Sequence, residues 1–279
     1  MSRRNKAKKG KASKNKTGMA ATADRHFLYQ ESVQCVESEI DFVDETFAKL
    51  RNRNAVRMRE DFCGTANTSC EWVRRRPDNE AVGVDLDIAT LDWGRQHNLN
   101  KLEAPERLRV TLMNDDVMTA QTPPVDMLLA MNFSYWVFKD RATLKAYFEA
   151  ARAALADDGI FFLDCFGGYE AYQRLKEETE YDDFSYVWDQ DYYNPINGDL
   201  VCHITFKFPD GSKMKRAFTY EWRLWSLPEI SELLVEAGFT RSTVYWEGSD
   251  DDGEGDGVFT AAEEGEADAG WITYIVAEK

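Results

Sequence analysis

"MREDFCGTANTS", residues 58–69, joins a strand-like stretch to a helix-like one through a single glycine. Two acids precede Gly64, and the small polar residues Thr65, Asn67, Thr68 and Ser69 follow it. A glycine beyond a strand lets backbone N–H groups approach a ligand with no Cβ in the way, and the next helix aims its free N-terminal donors in the same direction. An ordinary tight βα connection has the same composition. The turn therefore takes its meaning from the strands around it.

Outward from the turn the chain alternates. "NAVRM" (54–58), "AVGVD" (81–85), "RLRVTLM" (107–113), "VDMLLAMN" (125–132) and "GIFFLDCF" (159–166) read as strands. "TSCEWVRRR", "IATLDWGRQHNLNKL" and "DRATLKAYFEAARAALADD" read as the helices between them. Such alternation predicts βαβ units in a parallel sheet, and the continuous apolar runs "MLLAM" and "IFFL" suit strands covered on both faces. Residues 25–50 predict one or two helices, with apolar positions at Val36, Ile40, Val43 and Phe47. From about residue 181 to 226 the texture becomes antiparallel: "FSYVWDQDYY", "LVCHITFKF" and "KMKRAFTYEWRLW", the last two joined by the hairpin signal "PDGS". A helix with Ser226 as N-cap and Gly238 at its end returns the chain to the core, and "STVYWE" and "WITYIVAEK" close it. Between these two strands lies a segment with nine acids, and 249–268 is expected to be a disordered loop.

In open α/β sheets ligands bind beyond the carboxyl ends of the strands. Asp85 ends the second strand about twenty residues past Gly64, where a carboxylate can accept both hydroxyls of a ribose. "NDDV" places Asp116 at a third strand end. Helix capping by Asp85 or Asp87 and solvation of Asp115 explain each acid singly; their joint placement favours a nucleoside site. The turn has one glycine, so it matches neither the dinucleotide pattern G-x-G-x-x-G nor the P-loop. The ligand is expected to lack a pyrophosphate.

"EDFCGTA", "VGVDLD" and "NDDV" together resemble the glycine turn, ribose acid and adenine-side acid of class I S-adenosylmethionine-dependent methyltransferases. The block from "VDMLLAMN" to "GIFFLD" is similar to their fourth strand, helix and fifth strand, and residues 226–279 to their last helix and antiparallel strand pair. The resemblance is to the small-molecule type, with an antiparallel insert after the fifth strand. It implies a Rossmann-like α/β sheet, mostly parallel with its last strand antiparallel, preceded by a basic tail (1–19) and carrying helices and cofactor core over 20–180, the insert over 181–226 and the rest of the core over 227–279.

Carried over residue by residue, the resemblance makes Glu60, Phe62, Cys63, Gly64 and Thr65 the methionine-side turn. Asp85 with Leu86 becomes the ribose site, Asp116 with Val117 the adenine site, and Asn132 the neighbour of the sulfonium. Phe62 and Ala66 stand where the family has glycine, so the turn is expected to have a different shape. Acceptor residues are expected in the aromatic insert and at the rim: Tyr29, Tyr135, Trp188, Tyr193 and Arg223. No base stands out; Asn132 and His203 are the candidates, although a lone histidine is more often structural.

The implied reaction is methyl transfer to a small polar acceptor such as an amine. The alternatives are a methyltransferase of RNA or protein, and a non-catalytic cofactor-binding module. Net charge is −16, and residues 1–17 carry eight Lys or Arg and no acid, so −16 less +8 leaves −24 on the rest. Such a body disfavours nucleic acid as partner except through the basic tail. No signal-peptide core or apolar membrane span is present in the sequence, the five cysteines have no metal spacing, and a metal-free, cytoplasmic protein is expected.

Overall fold

The computed structural model describes residues 18–250 and 255–279. The alternation read from the sequence folds into α1 (Arg25–Val33), α2 (Val36–Arg51), β1 (Arg57–Asp61), α3 (Asn67–Arg75), β2 (Glu80–Asp85), α4 (Ile88–His97), α5 (Ala104–Arg107), β3 (Val110–Asn114), β4 (Val125–Ala130), α6 (Arg141–Ala154) and β5 (Leu155–Gly167). Then come β6 (Leu175–Glu180), β7 (Ser185–Tyr193), β8 (Asp199–Lys207), β9 (Lys213–Arg223), α7 (Leu227–Glu236), β10 (Arg241–Ser249), β11 (Gly255–Ala262) and β12 (Trp271–Glu278).

The main sheet has the order β11-β10-β12-β5-β4-β1-β2-β3. Its five strands from β3 to β5 are parallel, β12 runs antiparallel to β5, and β10 and β11 continue with antiparallel pairings. Strand order reverses between β1 and β4, which opens a crevice beyond their carboxyl ends. Side-chain parity explains the two apolar layers. Leu128, Ala130, Phe161 and Leu163 pack with Leu144 and Phe148 of α6 and Ile230 and Leu233 of α7. Met127, Leu129, Ile160 and Phe162 pack on the other face with Ile40 and Phe47 of α2 and Trp72 of α3. The second sheet, β6-β7-β8-β9, is antiparallel throughout and shares a small core with Leu28 of α1.

Four boundaries differ from the expected ones. The first strand is displaced to Arg57–Asp61, because its charged residues satisfy one another while buried: Arg59 Nε donates to Asp61 Oδ1 at 2.6 Å, and Tyr147 Oη donates to Asp61 Oδ2 at 3.0 Å. The insert begins at Leu175, before 181, since the edge strand β6 "LKEETE" gains its ladder bonds from β7 and needs no apolar face. Gly255–Ala262, within the expected disordered loop 249–268, pairs as an edge strand with β10, and Phe259 packs on Tyr274 and Phe42. Residues 251–254 of that loop and 1–17 of the tail lie outside the described residues. Met19, assigned to the tail, is docked: its N–H donates to Asp210 Oδ2 at 2.8 Å on the β8–β9 hairpin.

Candidate functional site

The turn after β1 departs from right-handed backbone at three residues: Phe62 (φ 55°), Gly64 (φ 52°) and Ala66 (φ 56°). Glycine relieves such strain only at Gly64, and the other two are held by their surroundings. Phe62 packs against Phe138 and Tyr147. Ala66 is buried, and its N–H donates to Cys63 O at 2.8 Å. Cys63 is buried against Gly83, and Glu60 accepts both Ser69 N–H (3.0 Å) and Ser69 Oγ (2.5 Å) inside α3. Thr65 is tied on two sides: Asn98 Nδ2 donates to its carbonyl (2.9 Å) and Gln30 Nε2 to its hydroxyl (2.7 Å). Of the five turn residues expected to meet a ligand, Glu60, Cys63 and Thr65 are buried, Phe62 is half-buried, and Gly64 is half-buried with room for a Cβ, which would meet only Thr90 Cγ2 at 3.9 Å.

Asp85 reaches across to that turn. Its Oδ2 accepts the Gly64 N–H at 2.8 Å and its Oδ1 accepts the Asp87 N–H at 2.8 Å, while each oxygen retains a second lone pair. Asp87 is the N-cap of α4, so the capping reading holds for Asp87. Beside them Leu86 is 70% exposed, an apolar side chain presented at a polar rim. Asp116 is half-buried and caps its own turn through Met118 N–H (2.9 Å). Val117 is packed in the core, its carbonyl accepting from Arg59 Nη2 at 2.9 Å.

Beyond β4, Asn132 (φ 57°) and Phe133 (φ 56°) are two successive left-handed residues, and both their N–H groups donate to the carboxylate of Asp164, at 2.7 and 2.8 Å. Burial pushes Asp164 up to about 7. This turn opens onto a cavity of ≈ 650 Å³ between the main sheet and the insert. Tyr29, Asn132 and Trp188 line it, and the inward face of the insert adds Tyr186, Ile204, Tyr220 and Trp222. Tyr220 and Trp222 stack with ring centroids 4.4 Å apart, and Trp188 lies 6.3 Å from Trp222.

Three expected acceptor residues stand elsewhere. Tyr135 is fully buried and spends its hydroxyl on the Asp164 carbonyl at 2.8 Å. Tyr193 and Arg223 line a separate cavity of ≈ 620 Å³ on the other side of the insert, where Arg223 stacks 3.7 Å over Trp225 and pairs with Glu229 at 2.9 Å. No strand end of the parallel sheet reaches that cavity. His203 sits opposite Asp189 and Thr219 on the outward face of β8, bonded to Thr219 Oγ1 at 2.9 Å, and does not reach the larger cavity. The sequence reading missed Glu39 of α2, which lines the cavity beside Asp164. Its signal was an acid directly before Ile40 on the face that carries Val36, Val43 and Phe47.

Three solved structures resemble the chain throughout. A S-adenosylmethionine-dependent methyltransferase from Clostridium acetobutylicum ATCC 824 is 16% identical, with 91% of this chain and 96% of that chain covered and a TM-score of 0.66. The chain has the methyltransferase fold. An amino pentose methyltransferase from Micromonospora echinaspora with S-adenosylmethionine bound gives 16% identity, 91% and 95% coverage and a TM-score of 0.63. A sugar N-methyltransferase from Streptoalloteichus sp ATCC 53650 gives 15% identity, 100% and 98% coverage and 0.59. No protein-family model and no curated protein matches the sequence. Among the described residues no helix of this methyltransferase-like fold is long and apolar enough to cross a membrane, and no group of acids, histidines and cysteines could hold a metal.

Proposed function

We propose that the chain is a S-adenosylmethionine-dependent methyltransferase acting on a nitrogen of a small acceptor. One observation carries the reading: Gly64 and Asp85, bonded to each other, flank the β1/β4 crevice whose other wall, Asn132, opens into the cavity. The residues fit the cofactor. Asp85 keeps acceptor lone pairs for two ribose hydroxyls, exposed Leu86 offers an apolar surface to a purine, and Gly64 leaves space that a Cβ would occupy. Asp116 would meet the adenine amino group. When bound, the cofactor supplies an electrophilic methyl group on a sulfonium.

The chain's own contribution is position and dryness. Asp164 fixes the Asn132 turn at the crevice, and Trp188, Tyr220 and Trp222 give the cavity apolar walls. Holding a nucleophile in line and out of water is worth up to roughly 7–11 kcal/mol in favourable cases. Nitrogen is favoured over oxygen because neighbours of this fold are named as sugar and glycopeptide N-methyltransferases. The four-stranded aromatic sheet sized for a small molecule supports this over RNA or protein. Five thiols without a disulfide fit a cytoplasmic setting.

Calorimetry with S-adenosylmethionine and its demethylated product tests the reading. Asp85→Asn keeps the shape of the carboxylate but turns one acceptor into a donor facing an N–H or a hydroxyl, and affinity is expected to fall about tenfold or more. Wild-type affinity in a folded Asp85→Asn protein would remove the ribose role; no binding by the wild type would remove the function.

A further inference from the structure

The cavity has an electrostatic character that the cofactor half of the site does not require. Five of its lining residues are acids: Glu39, Asp164, Glu170, Glu177 and Glu247. None of the described residues that line it is Lys, Arg or His. Asp164 is accounted for, since both its oxygens hold the Asn132–Phe133 turn. Glu39 is not. It is 8% exposed, and its Oε2 is buried without any hydrogen-bond partner. A buried carboxyl oxygen left unpaired costs free energy, and nothing in the packing of α2 returns it. A carboxyl with one oxygen unpaired, in an acidic cavity with aromatic walls, suits a cation.

We propose that Glu39 is the binding residue for a positively charged ammonium group of the acceptor, seated against the aromatic rings of the insert. An ammonium supplies the N–H donors or the charge that Oε2 lacks, and the faces of Trp188, Tyr220 and Trp222 hold a cation through their ring quadrupoles. The same field rejects acceptors that carry a carboxylate or phosphate near the amine, so free α-amino acids are excluded and neutral-bodied amines, such as amino sugars, are favoured. Raised proton affinity accords with this unpaired oxygen. Burial and the charges of Asp164 and Glu60 push Glu39 up to about 8, so the pocket favours neutrality until a cation arrives. That the cation belongs to the methyl acceptor rests on the proposed function, and its nitrogen must first release a proton to solvent, since an ammonium has no lone pair with which to attack the methyl group; the cation site itself stands on Glu39 and the rings.

The experiment uses the full chain and two probes of one shape: choline and its uncharged carbon isostere 3,3-dimethylbutan-1-ol, titrated by calorimetry at matched ionic strength. Wild type is expected to prefer choline by about tenfold or more, and Glu39→Gln to reduce that preference to about threefold or less. Glu39→Asp, with the charge retained on a shorter arm, is expected to recover part of it. Equal affinity for both probes in the wild type, or an undiminished preference in a folded Glu39→Gln protein, would overturn the proposal. Titration of S-adenosylhomocysteine into the same samples separates the two readings. Failure there sinks the methyltransferase function, while the choline preference decides the cation site by itself.

Discussion

Asp164 interrupts the apolar run "IFFLDCF", and its position in β5 makes it the anchor of a turn on the neighbouring strand. Two consecutive non-glycine residues in left-handed backbone store strain, each of the order of 1–3 kcal/mol. The carboxylate holds them there by accepting both N–H groups. Asp164→Ala leaves two half-buried donors without an acceptor and releases the turn, so a loss of about 3 kcal/mol or more is expected in urea unfolding. Asp164→Asn, with one acceptor oxygen, should lose roughly half as much. A melting temperature unchanged in Asp164→Ala would remove the anchor role. At this scale the sequence is legible where chemistry fixes the residue type: Gly64 and Asp85 stood out as a bare turn and an acid at adjacent strand ends, and the structure bonds the one to the other. Glu39 and Asp164 left a weaker sign, an acid in an apolar pattern, which shows burial but not what the acid faces. Tyr135 was misread because a tyrosine beside a strand end looks the same whether its hydroxyl points to a ligand or to a backbone carbonyl.

Elements were legible in proportion to their apolar burial. β4 and β5 were plain because both faces are covered, whereas β6 and β11 lie on sheet edges, where a backbone ladder suffices and charged side chains are tolerated. His203 shows the other limit: composition identifies strand β8, but which of its faces looks inward depends on register with β7 and β9. Helix α4 has a cue that only packing explains. Gly94 lies in its middle, where alanine would ordinarily stabilise by about 1 kcal/mol. A Cβ there would stand 2.4 Å from the carbonyl oxygen of Thr65, which is backbone of the turn after β1. Gly94 therefore sets how closely α4 approaches the residues after Gly64. Gly94→Ala is expected to lower the melting temperature against its helix propensity and to weaken S-adenosylhomocysteine binding about tenfold or more by pushing the turn aside. Calorimetry and a thermal melt on the same sample check this; a stabilised protein with unchanged affinity would show that the contact is not limiting.

Across the whole molecule the acids set how stability responds to pH. Burial raises Glu39 to about 8 and Glu60 and Asp164 to about 7, all well above the values they take in an unfolded chain. The groups that face Glu39 come from four elements: Asp164 of β5, Glu60 of β1, Tyr29 of α1 and Tyr274 of β12, with only the Cys35 N–H acting in the opposite sense. The folded state thus holds protons that the unfolded state has released, and stability from these carboxyls is fully present below about pH 4 and is lost as pH rises toward about pH 8. Self-repulsion of a body carrying −24 works in the same direction, since it too grows as acids ionise. The two causes separate by substitution. Glu39→Gln leaves the surface charge almost untouched but removes the one buried carboxyl among the described residues with an unpaired oxygen. Its melting temperature should lie close to that of the wild type at about pH 5 and above it at about pH 9, by on the order of 2–4 kcal/mol in stability. Added salt screens the surface term in both proteins and leaves the difference between them in place. A difference that stays constant from about pH 5 to about pH 9 would mean that Glu39 titrates as an ordinary solvated acid, and the cavity would then lack its unpaired carboxyl.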